Sequence, residues 1–476
     1  MSLPLRRAPF PTSMAVQAAP APLRAPRLIA VNSALAQTLG FSPEWLGSPE
    51  AVALFSGQWR DEAVPPVAQA YAGHQFGQFV PQLGDGRAHL LGVVSTAQGS
   101  TFDVQLKGSG PTPFSRRGDG LAALGPVLRE YLVSESMAAL GVPTTRALAA
   151  VLTGETVWRD RPLPGAILTR VAASHLRVGT FQYFAARQDS EALRFLCDLA
   201  IARHYPGAAS AENPVRALFE NVVAAQARLI AHWMSLGFVH GVMNTDNMAI
   251  SGETIDYGPC AFLDAYRHDK VFSSIDRNGR YAYGNQPRLA GWNLARLAET
   301  ILPFVDPDEE RALARAQEAL GQFGTLYDTA WLERMRPKLG LMQSEAEDKT
   351  LIVRFLEILE EEKLDWTLSF RRLSRNEPLS EKPVSDALGG WLADWKTRRA
   401  REKALPAEQD RLMAQSNPAV IARNHRIAEA IDAAEHGDFE VFQRLLARLV
   451  RPFEDDADYE TPPLPEEVVQ ATFCGT

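Results

Sequence analysis

His240-Gly-Val-Met-Asn-Thr-Asp-Asn247, followed after a short apolar stretch by Asp256-Tyr-Gly258, is the part of this chain that decides its fold. Asn247 offers an amide oxygen and Asp256 a carboxylate, one from a loop and one from the end of an expected short strand running from Met248-Ala-Ile250 to Thr254-Ile255. A hard cation such as magnesium prefers oxygen ligands and commonly takes one or two from protein while phosphates and waters complete its shell. Asp246, beside Asn247, is the nearest carboxylate that could act as a general base. His240 is read as a residue that orients the loop through a hydrogen bond, in preference to a catalytic role.

Working outward toward the N-terminus, Phe102-Asp-Val-Gln-Leu-Lys107 alternates apolar and polar side chains, so Lys107 points away from the apolar face of a strand. A helix is expected from Pro126 to the Gly141-Val-Pro143 stop, with Glu130 in its first turns. A strand lysine paired with a helix glutamate orients phosphates in kinase-like folds, although an isolated surface ion pair would look the same in sequence. Gln82-Leu-Gly-Asp-Gly-Arg87 reads either as a phosphate loop or as a hairpin turn between Phe79–Leu83 and Ala88–Val94. The connection from Lys107 to Gly120 holds Arg116, Arg117 and Asp119 among glycines, a composition that suits an anion pocket or a solvated loop. Arg170 and Arg177 flank His175 where a strand should open into a cleft.

Working toward the C-terminus, the texture is helical. Asn213 and Pro214 start a long helix that ends at Gly237, immediately before His240, and helices follow from Gln286 onward with breaks near Pro303, Pro378, Pro406 and Pro418. Residues 1 to about 28, rich in Pro and Ala, read as an extended arm over the surface. The plan is α+β and two-lobed: an N-terminal extension over 1–70, a strand-rich lobe over 71–175, a helical lobe over 176–455 and a tail over 456–476. The lobes have the order of a protein-kinase-like fold.

Composition narrows the function. With 476 residues, 46% hydrophobic and 22% charged, the chain is an ordinary globular protein. Its net charge of −8 and the lack of a basic stripe argue against nucleic acid or an anionic membrane as partner. No apolar run has the length of a membrane span, and Arg6 and Arg7 are followed by no hydrophobic segment, so a cytoplasmic location is expected. Three cysteines, Cys197, Cys260 and Cys474, exclude a disulfide framework of the secreted kind.

The motifs together resemble the selenoprotein O adenylyltransferases, a family of kinase-like proteins. The resemblance rests on Tyr71-Ala-Gly-His-Gln-Phe-Gly-Gln-Phe79, Gln82–Arg87, Gln105–Pro113, Ser115–Gly120, Thr169–Arg177, His240–Met248, Asp256–Pro259 and Asn417–His425, which span nearly the whole chain. A kinase places its catalytic aspartate two residues after the histidine, where this chain has Val242. The resemblance implies a different chemistry: ATP bound in an inverted orientation, with AMP transferred to Ser, Thr or Tyr hydroxyls of proteins. It implies that Lys107, Arg170 and Arg177 clamp the distal phosphates, with Glu130 orienting Lys107. Gly84, Gly86, Arg87, Asp119 and Gly120 would line the nucleotide pocket, Asn247 and Asp256 would hold Mg2+ or Mn2+, and Asp246 would accept the hydroxyl proton. UTP is allowed as a further donor. A conventional kinase and a non-catalytic nucleotide-binding pseudokinase remain as alternatives. Family members often carry a C-terminal Cys or selenocysteine, which Cys474 matches; the implied redox contact has Cys260 as its partner, because Val271–Ile275 contains no cysteine.

Overall fold

The computed structural model describes residues 3–380 and 383–473. The N-terminal part is built on one nine-stranded sheet, in which every pairing is antiparallel, and the remainder is almost entirely helical. The fold is thus α+β. The main path of the sheet runs Ala15–Gln17, Val67–Gln69, Ala88–Ser95, Thr101–Lys107, Pro162–Ala172, Arg146–Trp158, Arg27–Val31.

The alternation in Thr101–Lys107 has the expected consequence. Val104 and Leu106 enter a core with Leu91, Val94, Ile167 and Val171, closed on the outside by Ala51, Leu54 and Phe55 of the helix Pro49–Phe55. The opposite face carries the polar residues. Gln105 stands across from Arg170, and Lys107 across from Leu168, in the pairing with Pro162–Ala172. Directly opposed residues of an antiparallel pair share a face, so Gln105, Lys107 and Arg170 project together. The helix Leu124–Ala139, beginning two residues earlier than expected, brings Glu130 to that face.

Two readings of the N-terminal part need correction. Residues 1 to about 28 are not merely laid over the surface: Leu5–Arg6 pairs with Val93–Val94, Ala15–Gln17 pairs with Val67–Gln69, and Leu5 and Met14 are buried. Local composition could not reveal strands whose partners lie so far along the chain. Nor does Gly84-Asp-Gly86 close a hairpin between Phe79–Leu83 and Ala88–Val94. Gln78–Val80 pairs instead with Gly73–Gln75, and the glycine segment turns inward because the Asp85 carboxylate is buried, accepting hydrogen bonds from the Gln69 amide and from Gln105, each at 3.0 Å.

The helical part is organised around Pro214–Leu236. Asn213 caps it by accepting from the Arg216 amide at 2.8 Å, and Gly237 ends it at φ 69°, a left-handed conformation that glycine adopts without a Cβ clash. Its stripe of Val215, Leu218, Val222, Leu229 and Trp233 is buried in a core continuous with the inner side of Leu124–Ala139. The break expected near Pro303 falls just beyond it: Pro303 lies in the last turn of Gln286–Val305, which ends two residues later. The strand expected from Met248 to Ile255 is absent as well. Gly252, at φ 78°, folds the segment back, and Ala249 and Thr254 make separate single bridges to Arg177 and Thr144.

Candidate functional site

The loop over 240–247 is bracketed by a two-strand ladder, Phe238–Val239 with Ala261–Phe262. His240 fastens it: its ring stacks on Trp233 at 5.3 Å and its Nε2 lies 2.9 Å from the Ile255 carbonyl oxygen. Burial holds its pKa below the usual histidine value, in keeping with a neutral, structural imidazole. Thr245–Asn247 forms a single tight turn. The Asn247 Nδ2 donates to the Val242 carbonyl at 3.0 Å, which fixes the amide plane.

Asp256 lies where the two parts of the molecule meet. Its Oδ1 accepts from Lys107 Nζ at 2.9 Å and from Arg170 Nη1 at 2.6 Å, and its Oδ2 from Arg177 Nη1 at 2.9 Å. Burial alone would raise its pKa, but Arg170, Lys107 and Arg177 outweigh that and hold it well below the usual carboxylate range. Each cation has further partners. Lys107 Nζ reaches Glu130 Oε2 at 2.6 Å, Arg170 Nε donates to Gln105 Oε1 at 2.8 Å, and Arg177 stacks over the Tyr71 ring at 4.5 Å while donating to the Asp246 backbone carbonyl at 2.9 Å. Both arginines are buried. Three cations, each held by fixed partners, thus meet beside a cleft, and ammonium and guanidinium groups held in this way suit anionic oxygens.

A cleft of about 930 Å³ runs past these groups and is lined by the glycine segment with Arg87, by Asp119 and Gly120, and by Asp246 and Asn247. Gly84, at φ 89°, lies so close over the Phe114 ring that a Cβ would overlap it, and Gly120, at φ 70°, packs against Gly110 with no room for one. Asp119 is taken up by an ion pair with Arg159 at 2.7 Å on the exposed rim. Asp246 is buried, which pushes its carboxyl up to about 6. Asn247 and Asp256 both line this cleft, and their amide and carboxylate oxygens are the hard ligands that a cation such as magnesium or manganese prefers. Among the described residues there is no cluster of three or more His, Cys, Asp or Glu able to bind a metal unaided.

Sequence reasoning missed two groups. Asp85, hidden between the glycines, anchors the floor of the site, and burial pushes its carboxyl up to about 6. Its signal was the acid itself, which a solvated turn would not need to bury. Tyr71 was legible only as part of a motif. Cys260 is buried, and burial pushes its thiol up to about 11. The tail reaches this neighbourhood: the Thr472 amide donates to the Phe272 carbonyl at 2.7 Å and its hydroxyl to the Pro259 carbonyl at 2.5 Å. Cys474 lies outside the described residues.

Comparison with known sequences agrees with the motifs. A family described as "Protein adenylyltransferase SelO" matches residues 10–450. A protein of Bradyrhizobium sp. (strain ORS 278) named "Protein nucleotidyltransferase YdiU" is 54% identical over 98% of this chain and 97% of its own length. The proteins of that name from Agrobacterium fabrum and Bacillus mycoides are 54% and 52% identical, each over 98% of this chain and over 98% and 96% of their own lengths. Matches of this extent establish that the chain belongs to the SelO/YdiU family of protein nucleotidyltransferases.

Proposed function

We propose that this protein transfers AMP from ATP to Ser, Thr or Tyr hydroxyls of other proteins, on a kinase-like scaffold whose strand-rich lobe, expected over 71–175, also takes in the four strands that precede it, with a helical lobe over 176–455. The observation that carries the proposal is the convergence of Lys107, Arg170 and Arg177 on the single carboxylate of Asp256. A triphosphate that enters with its distal end toward these cations places the β and γ phosphates among them. The acceptor hydroxyl gives its proton to Asp246, its oxygen bonds to the α-phosphorus, and the bond from that phosphorus to the bridging oxygen breaks. Pyrophosphate leaves with the electron pair. Fixed donors that stabilise the charge on such a leaving group commonly lower the barrier more than any other single effect in an active site. Asn247 and Asp256 would hold Mg2+ or Mn2+, whose charge offsets that of the phosphates.

The kinase alternative has no base where it would need one, because the buried Val242 occupies that position. The localisation that goes with this reading is cytoplasmic; among the described residues no helix is long and apolar enough to cross a membrane.

ATP labelled at either the α or the γ phosphorus, incubated with purified protein and Mg2+ or Mn2+, tests the reading. Label should stay on protein only from the α position. Retention only from the γ position would make this a kinase, and ATP binding without any retained label, with casein added as acceptor, would favour a pseudokinase.

A further inference from the structure

The motif Tyr71–Phe79 sets the Tyr71 ring against Arg177, and its hairpin, Gly73–Gln75 paired with Gln78–Val80, sits directly on the turn that carries Asp246. Two direct bonds and a relay through Gln182 join them. The His74 amide donates to Thr245 Oγ1 at 2.7 Å. Thr245 Oγ1 donates in turn to Gln182 Oε1 at 2.6 Å, and Gln182 Nε2 lies 2.8 Å from His74 Nδ1. The Phe76 amide donates to Asn244 Oδ1 at 3.2 Å. These bonds locate the turn's backbone and its neighbours.

The Asp246 carboxylate itself is located by two other residues of the same hairpin. Gln75 Nε2 donates to Oδ2 at 3.4 Å. Oδ1 is buried without a hydrogen-bond partner and lies over the bare Cα of Gly73, where a Cβ would stand 2.3 Å from it. One oxygen is held and the other occupies space that only glycine leaves open. We propose that Gln75 is a positioning residue for Asp246 and that Gly73 reserves the volume its carboxylate needs, so that this hairpin sets the direction from which the general base meets the acceptor hydroxyl. The inference rests on the reading of Asp246 as proton acceptor given above.

The test is a double-mutant cycle. Wild type, Gln75→Leu, Asp246→Asn and the double variant are assayed for transfer of α-labelled AMP to themselves and to casein. The affinity for a fluorescent ATP analogue and the melting midpoint are measured alongside. Gln75→Leu should slow transfer roughly tenfold, the worth of one hydrogen bond to a charged group, with nucleotide affinity and melting midpoint unchanged. In the Asp246→Asn background the same substitution should cost nothing further, whereas a merely structural role would multiply the two losses. Gly73→Ala should slow transfer at least as much, because its methyl group displaces the carboxylate. Wild-type rates in Gln75→Leu, or an undiminished Gln75 effect in the absence of the Asp246 carboxylate, would overturn the proposal. A wild type that carries no α label would sink the adenylyl-transfer reading and this proposal with it. A labelled wild type with unimpaired Gln75→Leu would sink this proposal alone.

Discussion

Asp256 and Asp246 are both carboxylates at the cleft, and their surroundings separate their roles. Asp256 faces three cations and stays ionised, whereas Asp246 is buried beside a single guanidinium whose nearest bond is to its backbone carbonyl. Asp256→Ala leaves three cations without their shared anion and, on the proposed reading, removes a metal ligand, so metal-dependent transfer should be abolished. Asp246→Ala removes a group that makes no bond to Lys107, Arg170 or Arg177 through its side chain. Nucleotide affinity should therefore stay near wild type while turnover falls by about 10²–10⁴, the usual range for loss of a general base. Equilibrium binding and single-turnover transfer on the two variants separate these outcomes; lost binding in Asp246→Ala would contradict the assignment.

At the scale of elements, the connector after strand Pro162–Ala172 ties the sheet to the catalytic segment. The Ala173 amide donates to the Glu253 carboxylate at 3.0 Å, and Ser251 Oγ donates to it at 2.9 Å. Glu253 is half-buried, and loss of solvent around it pushes its carboxyl up to about 7 from an ordinary 4.5. A carboxyl whose folded-state pKa is raised contributes stability that is complete below its unfolded value and is lost as pH rises through the folded one. Glu253→Gln keeps an acceptor for the Ala173 amide and has no charged form. The variant should therefore gain on wild type as pH rises across this window, seen as a growing difference in urea midpoint between about pH 4.5 and 7. A difference that does not grow with pH would contradict it.

What the sequence made legible at this scale follows from how local each signal is. Period-two alternation placed Lys107 on the correct face, and Asn213-Pro214 with Gly237 marked both ends of a helix, because those determinants lie within a turn or a strand of the residue concerned. The hairpin reading of Gly84-Asp-Gly86 fails because the partners that draw Asp85 inward stand 16 and 20 residues away. The arm at the N-terminus was misread for the same reason at longer range. Lys107, Arg170, Arg177 and Asp256 were legible as residue types, but the meeting of the three cations at one carboxylate is a tertiary fact.

For the whole molecule, the clamp is also a joint. Lys107 and Arg170 belong to the sheet and Asp256 to the helical part, so a nucleotide held there as proposed would contact both. Ligand that binds only the folded state adds stability by mass action, about 2.7 kcal/mol at a hundredfold excess over Kd. Mg2+ and ATP should therefore raise the melting temperature by a few degrees. Lys107→Met should abolish most of that rise, and an unchanged shift would argue that the nucleotide sits elsewhere. The backbone at Asp256 carries one more consequence. At φ 62° it lies in the left-handed region, which asparagine tolerates about as well as aspartate. A lineage drifting to asparagine at that position would keep its backbone while losing the charge that competes with phosphate for the clamp. Its descendants would be nucleotide-sequestering decoys, folded and silent, one substitution away from an enzyme.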